Sequence, residues 1–391
     1  MELQKAKEQA IAMVQKGNLQ YEAAQVKLAE AKVKLADPIP DWAKKMMVKA
    51  GIDPADPHKK FTRELVVEYH QDGKSLGGKN LSKLDLSELE LKGIDLKGAN
   101  LKETNFSQTD LSGASLEKAI ASKADFTKAV LDSGDISNAI FKEAILQKVS
   151  ADNLKAKRTL FEKVEIKEAK FSDADLSGAI FKDASIESSD FNGSNLKSAA
   201  FLKSKLSDSV FDNAQMSNVV FSESAIDDCQ FIHMDSQKML FNKSKVINSD
   251  FSHSRLYNMR ILKESSFESC NLSNSNMDRS TIFEASMKKC NLQKNLCNRM
   301  LIKTSDILEC DFRAVQAKDG RFEFNTFAHC NLAGINMLNG SLRRTFLQNC
   351  DLSHANLYSV EFFKIKLHES DFSDANLKKS GLENRLELIY D

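Results

Sequence analysis

The chain has 391 residues with 55 basic and 55 acidic side chains, so its formal net charge is zero. The first 73 residues hold 12 basic and 11 acidic groups, leaving 43 and 44 for the rest. Neither part has the bulk basicity that phosphate-backbone binding requires, and no apolar run reaches membrane-spanning length. Met1-Glu2-Leu3-Gln4-Lys5 opens a charged stretch without signal-peptide character, and no span through a membrane is expected.

Residues 2–36 are rich in Ala, Lys, Glu, Gln and Leu, lack proline and read as helix, broken or bent at Gly17-Asn18. Val26, Leu28, Val33 and Leu35 make the second arm amphipathic, suited to a coiled coil or a helical hairpin. Asp37-Pro38-Ile39-Pro40 stops it. A short helix is expected over residues 41–50, carrying Trp42, Met46 and Met47 and ending at Gly51. All four prolines lie between positions 38 and 57, where Asp53-Pro54-Ala55-Asp56-Pro57 forms a turn or linker. Residues 61–70, with Leu65, Val66, Val67 and Tyr69, suit a strand or a helix that covers the first unit of the repeat region beginning at Lys74.

From Lys74 to Leu382 the period is five. Ala124-Asp125-Phe126, Ala174-Asp175-Leu176, Ser194-Asn195-Leu196, Ala355-Asn356-Leu357 and Ala375-Asn376-Leu377 share a small residue, a polar residue and a large apolar centre. This matches neither the 3.6 of a helix nor the 2.0 of a strand. Centres recur at every fifth position from Leu76 to Ile261 and, after one extra residue, from Phe267 to Leu382, 62 units in all. The extra residue places a bulge near 262–266. Only Ala121, Ala151, Ala156, Ser236, Cys297 and Ala317 are small centres.

The repeat resembles the pentapeptide-repeat family, whose motif is A(D/N)LXX, over about four-fifths of the chain. The resemblance implies a mainly β fold: a right-handed, four-sided parallel β-helix with one pentapeptide per side and twenty residues per coil. About 15 coils at ~4.8 Å each would give a rod roughly 75 Å long. The centre and the small residue two before it would point inward. The expected organisation is an N-terminal helical segment and cap (1–73), the β-helix (74–382) and a C-terminal cap (383–391).

Several patterns fit a square coil. From Phe161 to Phe251 a phenylalanine stands at every tenth residue, which a twenty-residue coil puts on two opposite sides. Cys270, Cys290, Cys310, Cys330 and Cys350 are twenty apart at the small inward position and should form one column of reduced thiols. Where a centre shrinks, the residue two before it grows: Val149 with Ala151, Leu154 with Ala156, Met234 with Ser236 and Val315 with Ala317.

No catalytic constellation, phosphate-binding glycine loop or CxxC pair is present, so the expectation is a protein that is not an enzyme and needs no cofactor or metal. His233 and His253, twenty apart on one face, make at most an incomplete metal pair. The position before a centre is normally polar, yet Ile120, Ile140, Leu160, Ile180, Ala200, Val220 and Leu240 form an apolar column there that stops at Arg260. Three positions further on, Lys123, Glu143, Lys163, Asp183, Lys203, Glu223 and Lys243 alternate in sign. An apolar stripe on the outside of a rod points to a contact surface. The expected partner is a protein or a second copy, held by this stripe or by the N-terminal helices, with nucleic acid not expected.

The N-terminal helices and the Ile52-Asp53-Pro54-Ala55-Asp56-Pro57 turn resemble, over about 60 residues, the segment preceding the repeats in some type VI secretion accessory proteins. This second resemblance implies a bacterial scaffold or adaptor linked to a secretion system, cytoplasmic or exported without a classical signal peptide, and makes the chain a candidate C-terminal part of a longer protein. The alternative is a DNA mimic acting on DNA gyrase, as some family members do. Mimicry needs a strongly negative surface, which 43 basic against 44 acidic groups do not supply.

Overall fold

The computed structural model describes residues 60–383. The helices expected at 2–36 and 41–50, and all but the first residue of the expected C-terminal cap, lie outside the described residues.

The described chain is mainly β, a parallel solenoid entered through one helix, α1 (Arg63–Gln71). The segment left open between strand and helix is therefore helical. Thr62 caps it by accepting from the Leu65 N–H at 3.3 Å. Phe61 and Val66 are buried in one continuous core with Leu76 and the centres beyond it. The Arg63 guanidinium donates to the carbonyls of Asp85 at 3.0 Å and Ser87 at 2.6 Å. A solenoid end exposes carbonyls and apolar side chains together, and α1 covers both kinds.

Each coil is twenty residues. Asn80 bridges Asn100, Ile140 pairs with Leu160, Ile145 with Glu165, and Asn356 bridges Asn376, all parallel. Two sides of the coil carry regular strands, giving a ten-stranded sheet from Ile140–Lys142 to Arg321–Glu323 and a twelve-stranded sheet from Ile145–Gln147 to Lys366–His368. The other two sides are held mainly by single bridges, such as Ser150 to Lys170 and Lys155 to Asp175.

The five-residue period follows from the corner. The second residue after each centre has positive φ, at Lys83, Glu88 and Glu103 near the start and Asp374 and Lys379 near the end. Glycine takes this position only at places such as Gly98 and Gly178, so most corners place an ordinary side chain in a left-handed conformation. The Asp or Asn before the centre compensates. Its carboxyl or amide oxygen accepts the N–H two residues on, as Asp110 does from Ser112 at 2.9 Å and Asp250 from Ser252 at 2.7 Å. Asparagines also form ladders between coils, Asn376 donating to Asn356 and Asn356 to Asn336 at 3.2 and 3.0 Å.

The interior is a set of columns. Phe161, Phe181, Phe201, Phe221 and Phe241 stack with ring centroids 4.7 to 5.0 Å apart. Phe171, Phe191, Phe211, Phe231 and Phe251 form a second stack at 4.6 to 5.0 Å. The compensating pairs fit: Val149, Leu154, Met234 and Val315 are buried beside Ala151, Ala156, Ser236 and Ala317. The register shift sits at Lys263 and Glu264, two consecutive residues with positive φ. Beyond it the pairing interval becomes one residue longer for a single coil, with Val246 opposite Phe267 and Ile261 opposite Ile282. The extra residue is absorbed at a corner, so the core columns continue through it.

Candidate functional site

The feature that stands apart from the repeat is the outer face of the ten-stranded sheet. Ile120 bridges Ile140, and Ile140, Leu160, Ile180, Ala200, Val220 and Leu240 pair successively, so all seven residues of the apolar column stand in one line. Their outward placement alone suggested exposure to water. Ile120 and Ile140 are half-buried, but Leu160, Ile180, Ala200, Val220 and Leu240 are buried, with 5%, 9%, 5%, 5% and 1% of their surface exposed.

A second column on the same face was not read from the sequence. Leu202 and Leu262 are buried two residues beyond Ala200 and Arg260, and Phe283 follows half-buried. Leu160, Ile180, Ala200 and Leu202 form one apolar cluster with Ile140 at its edge. Val220, Leu240 and Leu262 form another with Phe283. The signal available in sequence was weak, because Glu162, Lys182, Ser222 and Asn242 interrupt this second column. Sheet register brings its apolar members beside the first column, which a linear pattern does not display.

Charge on the face is paired. Glu162, almost fully buried, lies between Lys142 at 3.4 Å and Lys182 at 2.8 Å, one coil to either side. Arg321 and Glu323 make a similar pair at 2.7 Å further along the sheet. The alternating ladder at the neighbouring corner is exposed; Lys123 meets Glu143 at 3.5 Å and Lys203 meets Glu223 at 3.8 Å. Such exposed pairs contribute little stability.

Cys270, Cys290, Cys310, Cys330 and Cys350 are free and buried, one coil apart, and the Cys290 N–H lies 3.4 Å from the Cys310 sulfur. Each sulfur also sits near a backbone carbonyl, as Cys270 near Glu268 at 3.3 Å. Contact with the Cys290 thiol, together with burial, raises the Cys270 pKa, and Cys350 with burial does the same for Cys330. Burial pushes Cys229, two coils before Cys270 in the same inward line with Ser249 between them, up to about 12. Cys229, Cys270 and Cys330, held this way, are poor nucleophiles and poor ligands, whereas the Cys330 contact lowers the Cys350 pKa. His233 and His253 lie with ring centroids 5.5 Å apart and ring planes tilted by 41°. Among the described residues no three His, Cys, Asp or Glu side chains converge as a metal site, and no helix is long and apolar enough to cross a membrane.

The family described as Pentapeptide repeats matches the chain in eight copies, over residues 80–117, 109–147, 160–197, 261–294 and 326–357. No curated protein matches it. Among solved structures, a trypsin-treated variant of QnrB1, a plasmid-mediated fluoroquinolone resistance protein, is 16% identical, covering 46% of this chain and 88% of its own, with a TM-score of 0.32. HetL, a pentapeptide repeat protein involved in heterocyst differentiation regulation from the cyanobacterium Nostoc sp. strain PCC 7120, is 16% identical over 82% of this chain and 97% of its own, with a TM-score of 0.22. Likenesses of this size carry no functional argument. The eight matched repeats and the twenty-residue parallel coil place this chain among the pentapeptide-repeat proteins.

Proposed function

We propose that this protein is a non-enzymatic scaffold or adaptor, a rod whose contact side is the outer face of the ten-stranded sheet. The reading is carried by one observation: Ile120, Ile140, Leu160, Ile180, Ala200, Val220 and Leu240 stand in register as one continuous apolar line on the outward side of this sheet, where the other sheet places Glu165, Ser185, Lys205 and Lys245. A filled interior supports the non-enzymatic part. Among the described residues, the stacked phenylalanines and their neighbouring columns fill the inside of the coil, where a reacting group would otherwise be desolvated. The resemblance of the first 60 residues to type VI secretion accessory proteins gives the scaffold its proposed setting, a bacterial secretion system.

The test replaces Ile140, Leu160 and Ile180 together with Lys and measures mass in solution, partner capture and protease sensitivity before residue 74. The reading predicts loss of a bound copy, loss of a partner or exposure of the N-terminal segment, with the rod still folded. No change in any of the three measurements overturns it. Inhibition of gyrase supercoiling by the unmodified protein would favour the DNA-mimic alternative.

A further inference from the structure

The corner between the two sheets changes character along the rod. Before the register shift it carries the alternating ladder, in which Lys123 meets Glu143 at 3.5 Å and Lys203 meets Glu223 at 3.8 Å. Beyond the shift the same corner runs Glu284, Thr304, Phe324, Arg344 and Lys364, one residue per coil and all exposed. Arg344 and Lys364 are therefore like charges on neighbouring rungs, with the Arg344 N–H bonded to the carbonyl of Phe363 at 2.7 Å. The ladder avoids that arrangement, which costs stability unless an anion lies between the two cations. Aromatic surface gathers at the same place. Of the four large apolar side chains exposed among the described residues, two are here, Phe324 at 42% and Phe363 at 41%.

Rings and cations are interleaved along this ridge. Phe324 lies between Lys303, whose ammonium is 5.6 Å from the ring centroid, and Arg344, whose guanidinium is 5.2 Å from it, one from the coil on either side. Phe363 is flanked by Arg343 at 5.3 Å and Lys364 at 5.5 Å. Contact with a ring restrains a guanidinium without using its N–H donors, which stay available to a carboxylate. Arg321 pairs with Glu323 at 2.7 Å and Arg343 with Glu361 at 3.5 Å. Lys303, Arg344, Lys364 and the exposed Lys366 make no ion pair among the described residues. Four cations without a carboxylate thus gather over three coil steps, about 14 Å at ~4.8 Å per coil, on a chain of zero net charge.

We infer that this ridge is a second contact site, which binds an acidic, extended segment of a protein partner. The partner's carboxylates pair with Lys303, Arg344 and Lys364, and its apolar side chains lie against Phe324 and Phe363. Arginine and aromatic anchors are the residues in which interfaces concentrate binding energy. Four or five extended residues at ~3.3 Å each span the ridge. Single-stranded nucleic acid also uses cations and rings, but it needs open ring faces on which bases stack. Lys303 and Arg344 occupy the faces of Phe324. A longer polyanion also meets the carboxylates of Glu284, two coils before Phe324, and Glu369, at the next corner. The site does not rest on the apolar column. Leu240 lies five coil steps before Ser341, about 24 Å at ~4.8 Å per coil, so one rod presents two contacts at a fixed separation.

Titration of the full chain into a fluorescein-labelled peptide of repeated Glu-Leu-Glu-Ser, read by anisotropy, tests this. The same peptide with Lys for Glu and an oligothymidylate of equal length are run beside it. The Glu peptide is expected to bind, more weakly as salt rises, and the Lys peptide is not. Arg344→Glu with Lys364→Glu should weaken binding at least tenfold, and Phe324→Ser with Phe363→Ser at least threefold. Lys163→Glu with Lys243→Glu makes the same change of charge at the same corner before the shift and should leave binding within twofold. Should the reversed pair fail to fold, Arg344→Gln with Lys364→Gln removes the two charges without adding repulsion and should still weaken binding several-fold. Absence of binding by the Glu peptide overturns the inference. Equal weakening by the ridge and control variants also overturns it, since net charge alone would then account for binding. Tighter binding of the oligothymidylate than of the peptide, lost in the phenylalanine variant, assigns the ridge to single-stranded nucleic acid and overturns it too. None of these outcomes bears on the apolar column, which the triple lysine variant tests by itself.

Discussion

Leu202→Ala separates a packed outer face from a bare one. Simple alternation puts Leu202 outside the coil, where truncation would change stability by no more than ~0.5 kcal/mol. In the structure it is 5% exposed and packed with Leu160, Ile180 and Ala200. Truncating a buried leucine costs ~2–5 kcal/mol; the low end, about 2–3, applies here because one wall of the site is a surface layer that can relax. Ile145→Ala is the internal control. It is also apolar and outward, but exposed by 38% on the other sheet, so its loss should stay within ~0.5 kcal/mol. Denaturant midpoints of the two variants and the parent, compared at equal slope, measure the difference. Leu202→Ala should shift the midpoint several times further than Ile145→Ala. Equal shifts would mean that the face is open to water in solution, and the argument from burial would fail with it.

Phe201→Ala should cost ~3–5 kcal/mol, since Phe201 is sandwiched between Phe181 and Phe221 at 4.7 and 4.8 Å. A double-mutant cycle with Phe181 should return ~0.5–1.5 kcal/mol of coupling, and strict additivity would deny the stacking. The seven cysteines should react slowly with a thiol reagent in the folded protein and quickly after unfolding; fast labelling of the native column would place those residues outside the coil. Acid should destabilise the rod below the ordinary carboxylate range. Burial of Asp175 opposes its charge, but the Ser177 hydroxyl and N–H and the Lys157 ammonium outweigh it and hold the pKa low. Asp311 is held low in the same way, with Arg313 as the partner that outweighs burial. A carboxyl lowered by folding contributes stability that is present above its unfolded pKa of ~3.9 and is lost as pH falls through the folded value. Stability should therefore be level from about pH 7 to 5 and decline below about 4. Asp175→Asn should make the decline shallower, and an unchanged acid profile would remove Asp175 from the account.

The coil was legible in the sequence because one local geometry is used again and again. A centre every fifth residue fixes which side chains face inward, and Phe161 to Phe251 at intervals of ten fix two opposite columns. The cysteine column and the Val149–Ala151 type of volume exchange follow from that register. A one-residue shift was legible for the same reason, as a break in a strict period near Lys263 and Glu264. What happens outside the coil was not. The sequence put Ile140, Leu160, Ile180, Ala200, Val220 and Leu240 in one outward line, but whether an outward line meets water depends on what lies against it, and period five says nothing of that. Leu202, Leu262 and the Lys142–Glu162–Lys182 ion pairs join the face only because strands twenty residues apart stack in register, a juxtaposition made by the closed coil. Residues 61–70 show the same division. Their apolar content marked them as a cover, and only contact with the open first coil, through Phe61, Val66 and Arg63, decided that the cover is a helix.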